Sequence, residues 1–208
     1  MKIYLVRHGE SEGNAIKVHQ DPQSPLSDIG FSQARLAASR FSKIPIEVVL
    51  SSDYLRTQQT AQTINAVTHA PLELTPLLRE MKGPSVIVGK IYTHPESVSI
   101  REEIRAHRDE ENWYHSDEEN FFDVATRARA CLTMLEERAE SRILAVTHGL
   151  FLCMLISVVF FGDSLTPQMY EALSQQLHHK NTGITIFEYE DKHWQLLTWN
   201  DHDHLGAL

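Results

Sequence analysis

The sequence predicts an α/β protein: a mainly parallel sheet with helices on both faces, an antiparallel hairpin at the C-terminal edge, and a helical and loop excursion over one rim. Three observations predict it. Short apolar runs of strand length alternate with stretches of helical period, the pattern of a parallel sheet covered on both sides. Two of these runs end abruptly in His-Gly, at His8-Gly9 and His148-Gly149. Two late runs, Thr182 to Tyr189 and Trp194 to Trp199, face each other across the turn Glu190-Asp191-Lys192.

Ile3 to Val6 reads as the first buried strand, and Asp21 to Pro25, with two prolines, as a loop. Ser27-Asp28 caps a helix to about Phe41, with Phe31, Ala34, Ala37, Ala38 and Phe41 on one face. Ile46 to Leu50 is the second strand. Ser52-Asp53 caps the next helix, with Ala61, Ile64 and Val67 at helical spacing, and Pro71 to Leu74 is a third strand. From Lys82 to Asn120 charge is dense and apolar periodicity weak, so this segment is an excursion from the sheet, helical near Glu96 to Arg108. Ser116-Asp117-Glu118-Glu119 has the form of a capping box and opens a long helix running through Phe121, Ala125, Ala128, Leu132, Leu135 and Ala139. Arg142 to Thr147 is a strand and Leu150 to Phe161 a buried helix. The whole of 1–208 reads as a single domain, with 81–120 as its lid-like part.

Charge narrows the function classes. Lys and Arg number 19 against 28 Asp and Glu, a net charge of -9. A general nucleic-acid or anionic-membrane binder needs a net basic face, so neither partner is expected. A small anionic substrate needs only a local basic pocket. The two cysteines, Cys131 and Cys153, sit in apolar helical patterns and read as buried free thiols of a reducing compartment. The apolar start is too short for a signal peptide, and Leu150 to Phe161 falls short of a bilayer span of roughly 20 residues. A soluble, cytoplasmic protein is expected.

The chemistry lies where strands end, because ligands of such sheets bind beyond the carboxyl ends of the strands. A lone histidine there is most often structural. Two His-Gly pairs at equivalent strand ends, the first preceded by Arg7, are harder to dismiss. Gly9 and Gly149 allow sharp turns, and Gly149 opens a helix whose free amides favour an anion. Arg56 follows the second strand, and Asn14 lies in the loop beyond Gly9, within reach of a phosphate oxygen.

Arg7-His8-Gly9-Glu10-Ser11 with Asn14, Ser52-Asp53 with Arg56-Thr57 and Thr60-Ala61, Leu78-Arg79-Glu80, and Thr147-His148-Gly149 together resemble the histidine phosphatase (phosphoglycerate mutase-like) superfamily. Pro25-Leu26-Ser27 with Gly30 and Gln33-Ala34 is similar to that family's helix entry, and Asn181 to Thr185 to its late strand. The resemblance implies that His8 attacks phosphorus and becomes a phosphohistidine. It implies that Arg7, Arg56, His148 and Asn14, with Gly9, Ser11 and the amides of Gly149 and Leu150, hold the phosphoryl oxygens. Glu80 would protonate the leaving oxygen. Such a cradle supplies positioning and charge without a metal or other cofactor.

The implied activity is hydrolysis of a small phosphomonoester. A phosphoglycerate mutase would use the same residues, but Met81 to Ser85 departs both from the Gly-rich and aromatic continuation after Glu80 common in sugar-phosphate and broad-specificity members and from the Arg-His-Tyr-Gly continuation typical of the glycolytic mutases, which weakens a mutase claim and leaves the substrate open. A non-catalytic phospho-ligand module would need neither His8 nor Glu80. The tail Asp201-His202-Asp203-His204 looks like a metal tract, but solvated disorder is the expectation there, and no metal site is expected. Tyr92, His94, Arg101, Arg105 and His107 are candidates for the non-phosphate part of the substrate, each singly more at home on a solvated face, as are the acidic runs at 109–111 and 117–119. His178-His179-Lys180 reads as a helix C-terminal cap. A homodimer is left open.

Overall fold

The computed structural model describes residues 1–206. In chain order it contains β1 (Lys2–Arg7), α1 (Glu12–Ala15), α2 (Asp28–Phe41), β2 (Val48–Ser51), α3 (Leu55–Thr68), β3 (Leu72–Leu74), α4 (Pro95–Ala106), α5 (Phe121–Glu136), β4 (Arg142–Thr147), α6 (Gly149–Phe161), α7 (Pro167–Gln176), β5 (Ile184–Glu190) and β6 (His193–Asp201). The sheet order is β3-β2-β4-β1-β5-β6. The first four strands in that order are mutually parallel, and β5 and β6 join antiparallel at the edge. The α/β architecture expected from the sequence is the one found.

Alternation along the strands splits the core in two. In β1, Ile3 and Leu5 face α5 and α6, and Val6 faces α2 and α3. Helix α6 is buried nearly all round, from Phe151 to Val158, because it lies between the sheet and α5 and α7. Cys131 and Cys153 are free and buried, and burial pushes both thiols up to about 12. No described helix is long and apolar enough to cross a membrane.

Four local expectations need correction. Helix α5 is capped by Asn120, whose Oδ1 accepts the amides of Phe122 and Asp123 while the Asp123 carboxylate accepts the Asn120 amide. The acidic run before it is committed elsewhere: Glu118 takes the amides of His115 and Ser116, and Asp117 and Glu119 bind the segment 82–85. That run is therefore no solvated face, and Ala139 lies beyond the helix end. Helix α3 starts after Tyr54 with no side-chain cap, because Ser52 and Asp53 turn to His148 and Arg79, and Val67 is exposed. Helix α7 has no counterpart in the sequence reading, since none of its residues is fully buried.

The fourth correction concerns the tail. Asp201 ends β6 and pairs with Arg40 on α2, and His204 Nε2 lies 3.0 Å from the Thr182 hydroxyl. The tract docks as a short helical turn, Asp203–Leu205, instead of fraying into solvent. Among the described residues, no three His, Cys, Asp or Glu side chains are grouped to hold a metal ion.

Candidate active site

Register brings the two histidines together. Arg7 pairs with Thr147 across β1 and β4, and the His8 amide donates to Thr147 O at 3.0 Å. His8 and His148 therefore leave the sheet side by side, with ring centroids 5.1 Å apart. One strand over, the Ser52 amide donates to Val146 O, and its hydroxyl lies 3.0 Å from His148 Nε2. The carboxyl ends of three parallel strands thus supply His8, His148 and Ser52. The turn after His8 packs backbone to backbone on α2: a Cβ on Gly30 would lie 1.9 Å from Glu10 O, and one on Gly9 2.5 Å from Gly30 O.

His8 is buried, with Nδ1 2.7 Å from Gly9 O. A ring nitrogen facing a carbonyl must be the protonated one, so the lone pair sits on Nε2. Burial first, then the charges of Arg56 and Arg7, hold His8 well below the usual imidazole range. His148 is lowered in the same direction, by burial and then by Arg56 and His8. Both rings are neutral at pH 7.

Arg56, 4% exposed, donates to Asp21 O at 3.0 Å, and Arg7 donates to His179 O at 2.8 Å. Burial lowers both guanidinium groups, opposed in each by the Glu80 carboxylate. Among the described residues, neither makes an ion pair with a carboxylate, and the Nε atoms of both arginines, with Nδ1 of His148, are buried with no partner. Unsatisfied buried donors are costly, so their concentration around one imidazole marks a place built for an anion.

Glu80 enters from the loop after β3. Its carboxylate accepts the amides of Leu150 at 3.2 Å and Phe151 at 2.9 Å, at the N-terminus of α6. The amide of Leu150, expected to meet phosphate, is thereby taken by Glu80. Arg127 on α5 fixes the loop itself. It donates to the carbonyls of Leu77, Arg79 and Glu80, forks onto the Glu119 carboxylate, and lies 4.4 Å over the Phe151 ring.

Arg7, His8, Asn14, Arg56, Glu80, Gly149 and Leu150 line one cavity of about 480 Å³. Ser11 is elsewhere: its hydroxyl donates to Gln20 and accepts the Asn14 amide as the cap of α1. Gly9 spends its amide on Thr60. Asn14 Oδ1 accepts the Ser11 amide. Of the outer candidates, Tyr92 and Arg101 reach the cavity, whereas His94 caps α4, Arg105 pairs with Glu171, and His107 stacks on Trp113. Sequence reasoning missed Ser52, Arg127 and His179 as site residues. His179, read as a helix cap, lines the cavity beside Arg7, and a Cβ on Gly149 would strike its ring at 2.6 Å.

Known proteins resemble this chain in sequence and in fold. A Yersinia enterocolitica protein named probable phosphoglycerate mutase GpmB is 30% identical over 205 residues, covering 96% of this chain and 90% of its own. Two solved structures share the fold: a mutant phosphoserine phosphatase of Entamoeba histolytica in complex with phosphoserine, with a TM-score of 0.80 and 23% identity over 98% of each chain, and the alpha-ribazole phosphatase of Shigella flexneri, with a TM-score of 0.80 and 21% identity over 97% of each. The histidine phosphatase superfamily (branch 1) matches residues 3–202, and with it the chain belongs to that superfamily.

Proposed function

We propose that the protein is a metal-independent phosphatase that hydrolyses a small phosphomonoester through a phosphohistidine on His8. The observation that carries this reading is the His8 ring, pinned through Nδ1 to Gly9 O and kept neutral beside Arg7 and Arg56, neither of which forms an ion pair among the described residues. Its Nε2 lone pair attacks phosphorus, and the bond from phosphorus to the ester oxygen breaks in line. Arg7, Arg56, His148 and Asn14 take up the charge on the three equatorial oxygens. Glu80 delivers a proton to the leaving alcohol. A water then attacks the phosphohistidine, Glu80 takes that water's proton, and inorganic phosphate leaves with the Nε2 lone pair restored.

The name of the Yersinia relative raises a second reading, isomerisation of a phosphoglycerate by the same residues. Hydrolysis is favoured by Glu118 and Glu119, which line the cavity and would lie against a bisphosphate intermediate. The test joins two measurements. Rapid quench with a labelled phosphomonoester traps an acid-labile, base-stable phosphoprotein in the wild type and none in His8→Ala. Incubation with 3-phosphoglycerate, with and without 2,3-bisphosphoglycerate, releases phosphate faster than it forms 2-phosphoglycerate. Full turnover by folded His8→Ala removes the mechanism, and dominant isomerisation removes the phosphatase.

A further inference from the structure

A second, smaller cavity of about 180 Å³ opens beside the first. Met81, Arg101, Ile104 and Glu118 line both, so the two share a wall. Beyond that wall the surface changes character. Trp113, Phe121 and Tyr170 supply aromatic faces, with Pro167 beside them. The Trp113 ring is already held flat against His107, 9° from parallel with centroids 4.3 Å apart. The long polar groups at the rim are spoken for, since Arg105 and Arg108 both pair with Glu171 across the opening. Among the described residues, Arg108 Nε at this cleft is buried without a partner.

We infer that this cleft is a subsite for the alcohol part of the substrate, and that the alcohol carries an aromatic ring. The inference rests on the phosphatase reading and names the substrate class for it. Continuity with the phosphate cavity selects the occupant. A molecule whose phosphoryl group lies between Arg7 and Arg56 can pass its remaining atoms over the Met81 and Ile104 wall. The flat pocket then takes a ring by stacking and area burial, as pockets with few, placed polar groups do. Phosphomonoesters of short polar alcohols fill the first cavity only and gain nothing from the second.

The experiment compares ethyl phosphate, phenylethyl phosphate and phenylbutyl phosphate, whose alcohols are of similar basicity, so that protonation by Glu80 cancels. The ratio of kcat/KM for each ring ester to that for ethyl phosphate is read within each variant. In the wild type at least one ring ester exceeds ethyl phosphate by about 10-fold or more, the scale on which apolar pockets discriminate. The ratio falls toward one in Trp113→Ala, and in His107→Ala should the first variant fail to fold. A flat series in the wild type, or a preference that both variants keep, overturns the inference. Should no ester turn over, calorimetric titration of the same three esters into the wild type reads the ratio as affinity. A preference there keeps the subsite and removes the phosphatase reading, and equal affinities remove the subsite.

Discussion

The Glu80 carboxylate accepts the amide of Phe151 at 2.9 Å, so the group proposed to handle the substrate's proton is anchored to the first turn of α6. The same turn starts from Gly149, next to His148, so the proposed acid and the proposed phosphate cradle share one rigid element. Rigid placement of this kind is what proton transfer requires.

Glu80→Gln lowers kcat/KM for alkyl phosphates by about 10²–10⁴-fold, the usual worth of general acid–base catalysis. For p-nitrophenyl phosphate, whose leaving group needs no proton, the loss is much smaller when formation of the phosphohistidine is followed by rapid quench. Equal losses on both esters contradict the assignment.

Arg127→Lys reproduces that pattern at reduced size. The lysine keeps the charge but cannot span three carbonyls and fork onto Glu119, so the Glu80 loop loosens. Loss confined to alkyl esters, with p-nitrophenyl phosphate nearly unaffected, is expected. A uniform loss on both substrates marks Arg127 as merely structural. Because the two residues act through one carboxylate, the double variant is no worse than Glu80→Gln alone.

Acid destabilises the protein earlier than its carboxylates alone would dictate. His8 and His148 are depressed in the folded state, so the unfolded chain binds protons that the folded one refuses. Stability is full above the unfolded imidazole value near 6.5 and falls as pH drops below it. Two such groups give a slope of up to about 2.7 kcal/mol per pH unit. Calorimetric melting between pH 7.5 and 5 measures it, and His8→Asn flattens it. An unchanged slope in that variant counts against a buried neutral His8.

Gly30→Ala costs stability, because its Cβ would lie 1.9 Å from Glu10 O, a backbone atom that cannot rotate away. Overpacking of this kind costs about 1–3 kcal/mol, read as a lowered denaturation midpoint. Gly149→Ala behaves differently. Its Cβ meets the His179 ring, a side chain that can swing aside, so the fold survives and the Arg7 contact with His179 is disturbed. KM for any phosphomonoester rises in Gly149→Ala with little change in melting temperature.

The strands were legible because Ile3, Leu5 and Val6, and Ile143 to Val146, are buried on both faces of the sheet, with Tyr4 half-buried, and read as continuous apolar runs. The rim histidines were legible because each follows such a run directly. What escaped depends on partners far along the chain. Arg127 looks like any helix-surface arginine until the Glu80 loop, 47 residues away, folds onto it. His179 is 172 residues from the Arg7 it holds. Ser116 carries the letters of a capping box, but Asn120 wins the cap because Glu118 has already turned back on the amides before it. The tail Asp201 to His204 reads as a frayed end because its docking partners, Arg40 and Thr182, lie outside any local window.

The roof of the cavity is sewn down with charge. Between residues 82 and 120 the only fully buried apolar side chains are Pro84, Ile87 and Ile100. Asp117 instead grips Lys82 and Ser85, and the Glu119 carboxylate takes the Lys82 amide. Such a unit opens at a free energy well below that of the core. Its amide protons exchange with solvent sooner than those of β1 and β4, and salt, which screens exposed pairs, hastens that exchange. Ionic strength therefore acts as a throttle on how often the cavity is uncovered.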